Sequence, residues 1–294
     1  MTLESIDARG RVVYEDLGGP GHPMVLVHGL GGSKENWMLV APQLAQRGYR
    51  VLAPDLAGFG ATPLDCRQST LETNRGIVDA IIARGTGPAV LVGHSMGGLL
   101  AMMQAASRPH TVARLVLLDP AVPLAITSPM KPLPTGLVNL LARRPGIGAA
   151  AAGALARLEG PRNLIENAMR QYCFDSTRLD PALVNALVAG ERARIARGHA
   201  YLGYMQAYRS MTACLGNQDE YDRGIARRVE APTLLVAGAS DELVPTPLIR
   251  RLAALRPDWT YQEMEEVGHN PQMEAPGRLL ELMLSWLGAP IPAR

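Results

Sequence analysis

The chain has 294 residues, of which 47% are apolar and 19% charged; this is close to globular averages and excludes a disordered, collagen-like or coiled-coil protein. Its 29 basic and 27 acidic side chains leave a net charge of +2 with no run of five like charges, so the sequence offers no electrostatic footprint for nucleic acid. At about 150 residues per domain the length admits two units at most, with a core that needs no covalent staples.

From the N-terminus, Thr2–Asp7 and Arg11–Asp16 alternate in polarity around Ala8-Arg9-Gly10, which predicts an antiparallel strand pair. Short apolar runs follow at 24–27, 50–54, 89–92 and 114–118, each succeeded by a turn signal and a helically periodic segment. Runs that are apolar on both faces belong to parallel strands buried between layers of helices. The rhythm stops after Leu118 and resumes only at 233–237, far more chain than a βαβ crossover requires. The interval opens with a proline-rich stretch and then reads as helices at 149–158, 161–172, 181–197 and 199–214. This predicts an α/β core built from residues 1–119 and 231–294, with a helical cap inserted at 120–230 that carries 14 basic against 9 acidic residues. A helix at 247–255, a strand at 260–265 and a closing helix at 276–287 complete the expected order.

Three widely spaced cysteines, Cys66, Cys173 and Cys214, form no metal or redox pair. The first ten residues lack a basic region leading into an apolar one, and no stretch approaches the ~18 apolar residues that span a bilayer. A cytoplasmic protein without stable membrane insertion is the expectation. Only Lys34 and Lys131 could form a Schiff base, which leaves little room for amine-based covalent chemistry. The run Gly146 to Ala151 matches a dinucleotide-binding pattern but follows Arg-Arg-Pro and no strand, and there is no Walker loop, HExxH or Cys/His cluster. No cofactor and no catalytic metal are expected.

Gly93-His94-Ser95-Met96-Gly97-Gly98 sits between an apolar run and a helical pattern, the context of a nucleophile elbow. A serine becomes a nucleophile only when a base takes its proton and a third group orients that base. In the order Ser, acid, His, the base must follow the acid; of the histidines after Ser95, His110 precedes both candidate aspartates, which leaves His199 and His269. His199 lies in a helical run beside Arg197 and reads as a solvated surface residue, whereas His269 lies in a loop between a strand and a helix, where a base should hang. Two aspartates stand at strand ends as candidates for the acid. Asp241 has a loop long enough to aim a carboxylate at the imidazole, and Asp119 is the alternative, otherwise a strand-end carboxylate bonded to backbone amides. The backbone amides of Met96 and of Leu30, within His28-Gly29-Leu30-Gly31-Gly32-Ser33, are the candidate oxyanion donors. In the insert, Tyr201, Tyr204, Met205 and Tyr208 share one helical stripe, which could pack helices together or wall an acyl pocket.

HGLGGS at 28–33, DLAGFGAT at 55–62, GHSMGG at 93–98, GASDELVP at 238–245 and VGHNPQMEAP at 267–276 together resemble the α/β-hydrolase superfamily over nearly all of the chain outside the insert. Ala57 and Thr62 depart from the Arg and Ser of many members, in a loop that does not carry the chemistry. The resemblance implies a mostly parallel sheet flanked by helices, a triad of Ser95, Asp241 and His269, oxyanion donors at Leu30 and Met96, and a small-molecule carboxylic ester as substrate. Its alternatives are a C–C bond hydrolase of ring-cleavage products with the same triad and, from another class, a small-ligand receptor on the same fold. The serine nucleophile argues against the dehalogenases and epoxide hydrolases of the superfamily, which use an aspartate there.

Overall fold

The computed structural model describes residues 2–123, 145–197 and 200–288. Eight strands form one sheet: β1 (Thr2–Asp7), β2 (Arg11–Asp16), β3 (Pro23–Val27), β4 (Arg50–Pro54), β5 (Ala89–His94), β6 (Val112–Leu118), β7 (Thr233–Gly238) and β8 (Thr260–Met264), in the spatial order β1-β2-β4-β3-β5-β6-β7-β8. β1 pairs with β2, and β2 with β4, in antiparallel register, and every later pairing is parallel. The pattern of apolar runs predicts this mostly parallel sheet, and the resemblance to α/β-hydrolases implies the same architecture.

The parallel strands carry apolar side chains toward both faces, so the period-2 geometry of a strand divides each run between two cores. Val25 and Val27, Leu91, Leu115 and Leu117, and Leu235 and Ala237 face one side. There they meet α2 (Leu71–Ile82), α3 (Met96–Ser107) and α8 (Thr246–Leu255). Met24 and Leu26, Val90 and Val92, Val116 and Leu118, and Leu234 and Val236 face the other, against α1 (Ala41–Gln46) and α10 (Pro276–Gly288).

The connection from β3 goes outward to β4, and the chain then returns past β3 to lay β5 on its other flank. At such a reversal two loops leave neighbouring strands in opposite directions and open a crevice at the carboxyl edge of the sheet. The loops after β3 and β5 are those that carry HGLGGS and GHSMGG.

Between β6 and β7 the described residues form α4 (Pro145–Glu159), α5 (Pro161–Tyr172), α6 (Pro181–Ala196) and α7 (Ala200–Leu215). The Asp180 side chain accepts from Ala182 N at 2.7 Å and Pro181 occupies the first turn, a start signal readable in the sequence. α4 begins four residues before the expected 149, because its first-turn glycines, which read as a turn, are carried by the alanine-rich segment behind them. Gly146 to Ala151 therefore lie inside a helix. His199 and most of the proline-rich opening fall outside the described residues.

The insert has a small apolar cluster of its own, Cys173, Leu179, Leu183 and Leu187, which closes on Met273 of α9 (Pro271–Glu274) and on Met38 and Leu39 beyond β3. After α7 the chain returns to the main core early: Tyr221, Ile225, Ala226, Val229 and Ala231 all pack into it. No described helix is long and apolar enough to cross a membrane.

Candidate active site

β5 ends at His94 and α3 begins at Met96; between them Ser95 takes φ 54° and ψ −120°, a conformation that side-chain-bearing residues rarely adopt. Neighbouring elements hold it there. Ser95 N donates to Leu118 O at 3.0 Å, and Ser95 O accepts from Gly98 N and Ala121 N, each at 2.9 Å. A Cβ at Gly93 would lie 2.3 Å from Gly97 O, one at Gly97 would lie 2.2 Å from Val27 O, and one at Gly98 would lie 2.8 Å from Pro120 Cβ. The glycines are thus a steric condition for backbone to touch backbone. The turn leaves Ser95 at the N-terminus of α3, where unpaired amides and the helix dipole favour developing negative charge.

His269 lies between β8 and α9, and its Nδ1–H donates to Asp241 Oδ2 at 2.7 Å. Asp241 Oδ1 accepts from Leu243 N at 2.7 Å and Val244 N at 2.9 Å, so its loop aims the carboxylate; both side chains are buried. A proton held on Nδ1 leaves Nε2 as the basic nitrogen. His94 packs beside this pair with ring centroids 4.8 Å apart, and its Nε2–H donates to His269 O at 2.6 Å. Burial keeps His94 neutral by pushing its pKa well below the ordinary value.

Asp119 directly follows β6, with φ 40°, and is fully buried. Its two oxygens accept from Gly238 N at 3.0 and 3.2 Å, and its carboxyl lies within 4.8 Å of the facing atoms of Asp241 and His269. Burial, and then the negative charge of Asp241, raise its pKa well above the usual carboxylate range. The two acid candidates are therefore distinct: Asp241 holds the imidazole, and Asp119 is a strand-end carboxyl bonded to backbone.

The loop after β3 is fixed by His28, whose Nδ1–H donates to Gly29 O at 2.8 Å and whose Nε2 accepts from Leu56 N at 3.0 Å. A Cβ at Gly29 would lie 3.0 Å from Ser95 Cβ, so this loop rests directly on the elbow. The Leu30 and Met96 amides thus belong to the two segments that touch Ser95.

On α7 the tyrosine stripe divides. Tyr201 OH donates to Glu191 Oε1 at 2.5 Å and lies under the Arg194 guanidinium, which binds α7 to α6. Tyr204 instead faces the loop after β3, its Cε2 3.3 Å from where a Gly31 Cβ would stand, and burial pushes its hydroxyl pKa up to about 12. Met205 is buried and Tyr208 partly so. α7 grips the core through a neighbouring stripe: Gly203 against Gly58, Gln206 Oε1 accepting from Ser69 N at 2.8 Å, Ala207 fully buried, and Ser210 Oγ accepting from Leu71 N at 3.0 Å. The small residues Gly203 and Ala207, four apart, were the available signal for that contact.

Residues 24–282 match the model of the alpha/beta hydrolase family, and the chain belongs to that family. It is 31% identical to a pimeloyl-[acyl-carrier protein] methyl ester esterase of Aromatoleum aromaticum, over 86% of this chain and 93% of that protein. It is 28% identical to a 2-hydroxy-6-oxononadienedioate/2-hydroxy-6-oxononatrienedioate hydrolase of Paraburkholderia phymatum, over 95% of this chain and 91% of that one. Among solved structures, a thermophilic esterase from Thermogutta terrifontis superposes with a TM-score of 0.72 at 26% identity, covering 98% of each chain. The chain is a hydrolase, similar to esterases and to C–C bond hydrolases alike.

Proposed function

We propose that this protein is a serine hydrolase of small to medium carboxylic esters, with residues 120–230 serving as a cap over the site. One observation carries the reading: a strained serine at a strand-to-helix turn, on the same sheet edge as a buried His269–Asp241 pair. Ser95 Oγ attacks the ester carbonyl while His269 Nε2 takes its proton, and Asp241 stabilises the imidazolium. The oxyanion is held by the amides of Leu30 and Met96. His269 returns the proton to the departing alcohol, and water, deprotonated by the same base, releases the carboxylic acid and restores Ser95.

Tyr204, Met205 and Tyr208 wall the acyl side, with Tyr204 nearest the chemistry because it touches the loop of Leu30; Tyr201 belongs to the same stripe but is spent on Glu191. Three free cysteines suit a reducing compartment, and we place the protein in the cytoplasm.

The C–C hydrolase reading uses the same triad, and His94 stands where such enzymes often have Asn. A panel of p-nitrophenyl esters of rising chain length, run beside a vinylogous diketone, tests the proposal. Turnover of the esters with little on the diketone is expected. The reverse overturns the ester assignment, and turnover of neither class favours a ligand receptor. A fluorophosphonate is expected to label Ser95 alone.

A further inference from the structure

Glu274 ends α9, one turn beyond His269, and its carboxylate accepts hydrogen bonds from both sides of that residue. Oε2 accepts from Gly268 N at 3.0 Å and Oε1 from Asn270 N at 3.0 Å. Oε2 also accepts from Phe174 N at 2.7 Å, in the insert just beyond α5. His269's own N–H donates to Tyr172 O at 2.7 Å, in the same stretch of the insert. The two backbones are in contact: a Cβ at Gly268 would lie 2.6 Å from Tyr172 O and 2.7 Å from Phe174 N. Its carboxylate thus accepts from three backbone amides, with the Cys173 thiol of the insert also against it.

We infer that Glu274 is a positioning residue for the base, holding the His269 loop from both sides and fastening it to the insert so that the insert's seat sets the direction of the imidazole. A carboxylate can meet this demand because both its oxygens only accept, and each has more than one lone pair. Glutamine cannot, since its NH2 would face an N–H and leave at least one buried amide without an acceptor. An imidazole displaced by a fraction of an ångström takes the serine proton along a poorer path, and misplacements of about 1 Å cost on the order of 100-fold in rate. The inference rests on the proposed role of His269 as base.

The test compares wild type, Glu274→Gln and His269→Ala by kcat and KM on p-nitrophenyl butyrate, and by the rate and final stoichiometry of fluorophosphonate labelling at Ser95. For Glu274→Gln, full final stoichiometry is expected, with kcat and labelling rate falling together by about 10- to 100-fold and KM little changed. A merely structural residue would give fewer reactive sites, each with wild-type kcat and labelling rate; that result, or an unchanged kcat, overturns the inference. His269→Ala separates the two failures, because its retaining wild-type kcat would remove the base reading itself. Should Glu274→Gln fail to fold, Glu274→Asp keeps the charge one methylene short of its three amides and is expected to show the same pattern.

Discussion

The elbow that carries Ser95 and the loop that carries His269 meet at one edge of the sheet, and different forces hold them there. Around Ser95, Gly93 lies on Gly97 and Gly97 on Val27, so the turn is a steric fit of backbone on backbone. Around His269, the loop is held by Glu274, by His94 and by Tyr172, from three separate parts of the chain. A steric fit fails abruptly when an atom is added. A hydrogen-bonded loop can lose one bond and still close, with the imidazole pointing slightly elsewhere. An atom added at the elbow's glycines is therefore expected to appear first as lost folding, and a bond removed at the histidine loop first as lost rate.

The largest effect falls where the chemistry itself is removed. Ser95→Ala is expected to lower kcat by about 10⁴-fold or more with melting behaviour intact, measured by ester turnover beside a thermal scan. Asp241→Asn is expected to cost on the order of 10⁴ in kcat by favouring the wrong imidazole tautomer, whereas Asp119→Asn, which can still bond Gly238 N, leaves turnover nearly unchanged. The opposite ranking would move the acid to Asp119.

Gly97→Ala tests the steric side of the comparison. Its Cβ would fall 2.2 Å from Val27 O and 2.6 Å from His28 O, both backbone, so some of β3 or α3 must shift. A loss of about 3 kcal/mol in stability by urea denaturation is expected.

A smaller effect is expected in the insert. Met205→Ala or Tyr208→Ala should change the kcat/KM ratio between butyrate and octanoate esters by about 10-fold, and Tyr201→Phe should lower the melting temperature while leaving that ratio alone. A constant ratio in all three would make the whole stripe structural.

The smallest expected signal is in pH. With its pKa raised, the folded-state Asp119 carboxyl keeps a proton that the unfolded chain loses above about pH 4. The folded state then binds more protons than the unfolded one, so this group costs stability increasingly as pH rises from that value toward its folded pKa. Asp119→Asn removes the cost. The difference in melting temperature between variant and wild type is expected to move in the variant's favour as pH rises across that window, and a pH-independent difference would contradict it.

Much of the fold is legible in the sequence because the forces that set it are local or periodic. Runs such as Met24 to Val27 announce buried strands, prolines at 161, 181 and 276 mark helix starts, and glycines at 93, 97 and 98 record how closely backbones approach. The pairing of Asp241 with His269 could be read from their loops, since each follows a strand end on the same edge. What could not be read is set by side chains far apart in sequence. His94 and His269 are 175 positions apart, and Phe174 and Glu274 are 100 apart; nothing local to any of the four signals the contact. On α7 two stripes overlap, and periodicity alone cannot say that Gly203, Gln206, Ala207 and Ser210 face the core while Tyr204 turns to the loop after β3.

The bond from His269 N to Tyr172 O also bears on which parts of this chain can be exchanged. Because part of the support of the His269 loop comes from the insert, the helices between β6 and β7 are not an exchangeable module. A chimera that replaces them wholesale would lose an acceptor for the His269 amide and a donor to Glu274, even if Ser95, Asp241 and His269 were kept. Retaining 172–174 as a fixed junction, and varying only the helices on either side, is the division along which new helices could be grafted without moving His269.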